Sequence, residues 1–435
     1  VKKHLLAGAC ALAMGFAVIP GTFADETCNS PFTTALITGQ EQYLHVWTLG
    51  MPGVGDESDK LVTISVDPKS DKYGKVINTL SVGGRGEAHH TGFTDDRRYL
   101  WAGRLDDNKI FIFDLIDPAN PKLIKTITDF ADRTGYVGPH TFYALPGRML
   151  IQALSNTKTH DGQTGLAVYS NAGELVSLHP MPVTDGGDGY GYDIGINPAK
   201  NVLLTSSFTG WNNYMMDLGK MVKDPEAMKR FGNTMAIWDL KSMKAEKILN
   251  VPGAPLEIRW SLKPEHNWAY TATALTSKLW LIKQDDKGEW IAKETGTIGD
   301  PSKIPLPVDI SITADAKGLW VNTFLDGTTR FYDISEPEHP KEVFSKKMGN
   351  QVNMVSQSYD GKRVYFTTSL IANWDKKGAE NDQWLKAYDW DGKELVEKFT
   401  VDFNELKLGR AHHMKFSSKT NAAELGTNQS FPTRQ

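Results

Sequence analysis

Cysteine is nearly absent from this chain: Cys10 and Cys28 are the two in 435 residues. Cys10 falls inside a stretch that reads as a removable leader, so the mature chain would keep Cys28 alone. No disulfide framework can then brace the fold. An excess of cations is also missing, since 48 Lys and Arg face 52 Asp and Glu for a net charge of −4. That balance argues against nucleic acid, which wants a basic patch, and equally against a polybasic protein of an anionic membrane surface. Beyond the N-terminus no apolar run is long enough to cross a bilayer. Nucleic acid and membrane are therefore not expected as partners.

What is present begins with the leader pattern. Lys2, Lys3 and His4 form a positive start, Leu5 to Ile19 an apolar stretch, and Pro20 and Gly21 a break. Thr22-Phe23-Ala24 then offers small residues at the spacing of a signal-peptidase site before Asp25. The expectation is a signal peptide over 1–24, cleavage after Ala24 and delivery to the periplasm. Losing Lys2 and Lys3 moves the net charge from −4 to −6.

The organising fact is an internal repeat. One element is a pair of β-rich runs joined by an Asp, Asn, Pro or Gly turn. Its seven copies begin near Leu61, Ile110, Gly165, Met235, Lys278, Thr328 and Trp384. A second element, a short strand, a polar turn and another strand, precedes each later copy. Examples are HHTGFTDDRRYLWAG from His89, VDISITADAKGLWVNT from Val308 and NMVSQSYDGKRVYFTT from Asn353. The first hairpin copy lacks this preceding element, and the last preceding element, from His412, lacks a hairpin. Joined, the two ends complete a seventh four-stranded unit. The spacing predicts an all-β, seven-bladed β-propeller over 25–435, closed by N- and C-terminal strands, which leaves no long sheet edge exposed. Residues 418–435 read as a loose polar tail. Between Phe208 and Gly232 one repeat is longer, and the Met, Leu and Val spacing there predicts a helical insertion over 209–231.

Aligning the seven innermost strands places one residue from each at the same height on the propeller axis: His90, His140, Asp193, Glu257, Asp309, Met354 and His413. One position earlier stand His89, Pro139, Tyr192, Leu256, Val308, Asn353 and His412. Imidazoles gathered with carboxylates are the composition of a metal site, and imidazole alone suits Cu, Zn, Fe or Ni. A His-His doublet is also a common hydrogen-bonded turn pair. Neighbours on a regular strand point to opposite sides, so His89 and His90 can share a metal only where the strand is irregular; the same holds for His412 and His413. The remaining histidines, His45, His160, His179, His266 and His339, read as loop or turn residues. The tryptophans read as filling between blades.

At these residues the chain resembles the selenium-binding protein family, and within it the bacterial methanethiol oxidases. The resemblance is carried by DPKSDKYGKVI from Asp67, GEAHHTGF from Gly86, PHTFYALPG from Pro139, GYDIGINP from Gly191, PLEIRW from Pro255 and PVDISITADAKGLWVN from Pro307. QSYDGKRVYFTTSLIANWDK from Gln357 and LGRAHHMKF from Leu408 complete it. It implies a seven-bladed propeller, a homo-oligomer and copper-dependent oxidation of methanethiol by O2 and water to formaldehyde, hydrogen sulfide and hydrogen peroxide. It also implies His89, His90, His140 and His412 as the metal ligands, with His413 in a supporting place; from the aligned register, Asp193 and Tyr192 are expected to support the imidazoles as well. Glu257 and Asp309 are the expected catalytic acid–base groups. The cysteine tied to selenium binding in animal relatives has no counterpart. The alternatives from other classes are a propeller that carries copper without turnover and one that serves as an interaction platform in the periplasm.

Overall fold

The computed structural model describes residues 29–419 except 35, 36 and 38. The leader over 1–24, both cysteines and the tail from 420 onward lie outside the described residues. Seven four-stranded antiparallel sheets stand around a common axis. Six are meanders of one continuous segment each, spanning residues 88–127, 136–180, 194–250, 255–297, 307–347 and 355–402. These are blades 2 to 7. Blade 1 joins the two ends of the chain: the inner strand Arg410–Ser417 pairs with Tyr43–Leu49, which is followed by Lys60–Ser65 and Val76–Ser81.

The closure thus takes one strand from the C-terminal end and three from the N-terminal end. The sequence reading placed two strands at each end and missed Tyr43–Leu49, because that strand precedes the first copy of the hairpin. It is buried at every position but the first. His45 is consequently a buried strand residue rather than a loop residue, held between Thr63 Oγ1 at 3.1 Å and Ser417 Oγ at 2.7 Å. His179 also lies in a strand, Leu175–Pro180, an outermost one.

Burial follows position. Inner strands such as Ala88–Phe93, Pro255–Trp260 and Pro307–Ile312 are buried throughout, because they face the axis and both neighbouring blades. Outer strands such as Lys122–Ile127 alternate between exposed and half-buried, the period-2 signature of a sheet wet on one side. Several turns leaving inner strands use one device: Thr94, Thr313 and Ser358 donate to Asp96, Asp315 and Asp360 at 2.5, 2.6 and 2.7 Å. Each is followed by a left-handed residue, Arg97, Ala316 or Gly361.

Trp47, Trp101, Trp238 and Trp320 fill the spaces between adjacent blades, as expected. Trp211 and Trp374 do not. They belong to an apolar cap over one end of the axis, together with Phe208, Tyr214 and Phe231. The expected helical insertion supplies much of this cap, but as three single turns, Trp211–Tyr214, Leu218–Met221 and Pro225–Lys229. Asp217 and Asp224 each cap a new start, and Pro225 cannot continue a preceding helix. The loop after blade 7's second strand latches onto the insertion: Asn373 Nδ2 donates to Tyr214 O at 2.9 Å and Trp374 Nε1 to Met216 O at 3.1 Å.

Candidate metal centre

The direction of the axial side chains is set by one backbone irregularity repeated in every blade. In blade 2, Ala88 pairs with Arg104 and Thr91 with Ala102, so the inner strand carries one residue more than its partner. Blade 5 does the same between Pro255 and Ile258, and the closing strand between Ala411 and Met414. Blades 3 and 6 gain their extra residue between Pro139 and Thr141 and between Pro307 and Asp309. In blade 4 both Tyr192 and Asp193 bond Ser206, and in blade 7 both Asn353 and Met354 bond Thr367. These are β-bulges, which leave two consecutive residues opposite one and turn both toward the same side. All seven fall at the height where the aligned residues converge.

The bulges resolve the question of the doublets. The rings of His89 and His90 stack with centroids 4.7 Å apart and planes 5° apart, so consecutive residues share one side of the strand. His412 lies 4.2 Å from His89, and His140 lies 4.1 Å from His90. His413 lies 4.7 Å from His90. Candidate ligand atoms of His89, His90 and His412 all fall within 4.8 Å of one another. Every one of these rings is at least 98% buried.

Hydrogen bonds fix two of the tautomers. Thr141 Oγ1 donates its proton to Tyr192 O at 2.8 Å, so it can only accept from His140 Nδ1, 2.8 Å away. His412 Nδ1 lies 2.5 Å from the carbonyl of Ser369, which also only accepts. Both rings therefore carry the hydrogen on Nδ1 and a lone pair on Nε2. Neither Nε2 has a hydrogen-bond partner, although both are buried. His89 Nδ1 is likewise buried without one. Burial, reinforced for His89, His90, His140 and His413 by neighbouring groups, holds all five rings well below the ordinary histidine range, His412 at about 4. Neutral imidazoles with unspent lone pairs are what a transition metal ligates. On donor chemistry the set fits a metal.

The expected supporting residues divide. Tyr192 packs its ring at a tilt, 4.2 Å from that of His140, and its carbonyl accepts from Thr141. His413 Nδ1 lies 2.9 Å from Thr91 Oγ1. Asp193 was expected to orient an imidazole. Instead its Oδ2 accepts from Ile258 N at 2.7 Å and from Arg259 at 3.2 Å. Glu257 and Asp309 join the same guanidinium, at 3.1 and 2.8 Å. The axis is thus split: imidazoles come from blades 1, 2 and 3, and carboxyls around one arginine from blades 4, 5 and 6. Sequence reasoning missed Arg259, Thr141 and Ser369. Arg259 had a signal, since it stands two positions after Glu257, on the same face of the same inner strand. Ser369 had none, because its contribution is a backbone carbonyl.

Beside the cap a cavity of about 270 Å³ is lined by Glu87, Asp106, Trp211, Met215 and Ile371, among others. Glu87 lies two residues before His89, in a left-handed conformation at φ 61°.

Fold and site together define a class, seven-bladed propellers with a buried cluster of imidazoles on the axis. The chain belongs to the 56 kDa selenium binding protein (SBP56) family, whose profile matches residues 23–424. A methanethiol oxidase from Ruegeria pomeroyi is 58% identical over 427 residues, covering 95% of this chain and 97% of that protein. A human methanethiol oxidase is 27% identical, covering 82% and 89% respectively. The X-ray structure of a hypothetical selenium-binding protein from Sulfolobus tokodaii matches with a TM-score of 0.77 at 25% identity, over 90% of this chain and 97% of that one.

Proposed function

We propose that this protein is a copper-dependent methanethiol oxidase of the periplasm, converting methanethiol, O2 and water to formaldehyde, hydrogen sulfide and hydrogen peroxide. The carrying observation is the pair of tautomers that leaves the Nε2 lone pairs of His140 and His412 unspent beside His89 and His90 in a buried site. The likeness to the Ruegeria enzyme supports the reaction, and the leader pattern supports the compartment. His89, His90, His140 and His412 would hold the metal. When bound, copper supplies stabilisation of a thiolate and one-electron redox chemistry toward oxygen.

The chain's own residues do the rest. Thr141 and Ser369 keep the two imidazoles turned with Nε2 inward. Tyr192, Phe208, Tyr214 and Trp374 form a continuous chain of aromatic contacts, edge-to-face up to Tyr214 and stacked between Tyr214 and Trp374, that keeps bulk water from the site. The cavity beside the cap suits the approach of a small thiol. Glu257 and Asp309 handle protons released by the thiol or by water.

The test is to purify the exported protein and measure bound copper together with methanethiol-dependent oxygen consumption, beside His140→Ala and His412→Ala. Stoichiometric copper and turnover in the parent, both lost in folded variants, are expected. Copper without turnover would turn the reading to a copper carrier. Neither, in a metal-replete preparation, would overturn it.

A further inference from the structure

The carboxyl half of the ring is organised by a residue that no motif singles out. Arg259 is 3% exposed and reaches three blades. Its Nη1 lies 3.2 Å from Asp193 Oδ2 and 3.1 Å from Glu257 Oε2, and its Nη2 lies 2.8 Å from Asp309 Oδ1. Asp309 also accepts the backbone N–H groups of Ile310 and Val355 at 2.8 Å each. Asp193 Oδ2 accepts that of Ile258. Such donors favour an ionised oxygen. All three carboxyls are at most 1% exposed.

Three ionised carboxylates around one guanidinium would leave two net negative charges in a buried channel, which is costly unless a proton is retained. The charged groups facing Glu257 are Asp193 from blade 4, Asp309 from blade 6 and Arg259 from its own strand. Across the axis stands His413, which the charges of Arg259 and Lys415 reach. We propose that Arg259 is a positioning residue that gathers these carboxyls into a proton-sharing cluster, in which Glu257 carries a stored proton beside the histidine site. Burial first, then Asp193, push the Glu257 carboxyl well above the usual carboxylate range, in keeping with this arrangement. The stored proton follows from the cluster's own geometry; its use in turnover rests on the oxidase reading.

Infrared difference spectroscopy of the metal-free protein at about pH 7 tests the cluster without any activity. The buried Glu87 carboxyl is also pushed well above the usual range and contributes its own band, so the parent should show a protonated-carboxyl C=O component, shifted in D2O, that the parent-minus-Glu257→Gln difference isolates. Arg259→Lys should keep that component, whereas Arg259→Met, which removes the positive charge, should add another. Absence of that component from the parent, which needs no variant to fold, or its persistence in Glu257→Gln would overturn the proposal. For turnover, Glu257→Gln should keep its bound copper while thiol-dependent oxygen uptake falls by about 10²–10⁴-fold with a changed pH profile. Undiminished uptake in that variant would remove Glu257 from proton delivery. If the parent itself takes up no oxygen with methanethiol, the oxidase reading fails and the infrared band alone decides the cluster.

Discussion

The two halves of the axial ring use one backbone device for opposite ends. Every inner strand bulges at the same height, so every blade turns two successive residues toward one side. In blades 1 to 3 they include the imidazoles, and those of His140 and His412 have Nδ1 tied to Thr141 and Ser369 with the Nε2 lone pair left open. In blades 4 to 6 they include carboxyls engaged by Arg259 and by backbone N–H groups. Aiming a side chain at the axis is therefore separate from making it available. The bulge does the first, and the hydrogen-bond partners decide the second.

The contrast predicts different consequences of mutation on each side. The largest effect on the fold should come from Arg259→Met, which leaves buried carboxylates without their cation. Urea denaturation should show a loss of about 3–5 kcal/mol, and a loss below about 1 kcal/mol would mean that the carboxyl half does not depend on its arginine. His412→Ala should disturb the fold far less, because Ser369 O keeps the Asn353 Nδ2 donor at 2.5 Å. Its copper affinity should drop by more than about 100-fold, beyond the usual effect of losing a mere supporting contact, as competition with a chelator would show.

Thr141→Val sharpens the same point at smaller scale. It retains His140 but removes the oxygen that fixes its tautomer, and copper affinity should fall by about 10–100-fold. Unchanged affinity would show that the hydroxyl does not set the ring. A last contrast, felt only in acid, concerns a buried imidazole away from the axis. Burial, with the charge of Arg97, holds His45 at about 3, against an ordinary value of 6.5. The unfolded chain protonates first, so stability is full above pH 6.5 and is lost as pH falls from there toward 3. The slope attributable to this residue is at most about 1.4 kcal/mol per pH unit. His45→Gln should lack that part of the acid slope in denaturation curves recorded between pH 7 and 4.

Much of the ring was legible in the chain. The repeat placed His90, His140, Glu257, Asp309 and His413 on innermost strands, and they are there. The strand Tyr43–Leu49 was missed because it has no hairpin copy ahead of it to align with. Asp193 was assigned to the histidines because register gives height on the axis but not the partner across it. The insertion was recognised by its spacing, while its division into three turns depended on Asp217, Asp224 and Pro225.

By itself the amino-acid sequence determined the number of blades, their closure by the two ends and the set of residues that meet at the axis. Those follow from burial periodicity and turn chemistry, which act over a few residues and recur in each repeat. Only the tertiary structure decided that His89 and His90 face the same side, that Nε2 of His140 and His412 stays open, and that one arginine collects the carboxyls of three blades. Each of these depends on a partner strand or a carbonyl brought close by the closed ring, as Ser369 is to His412 and Tyr192 to Thr141, and no local pattern encodes it.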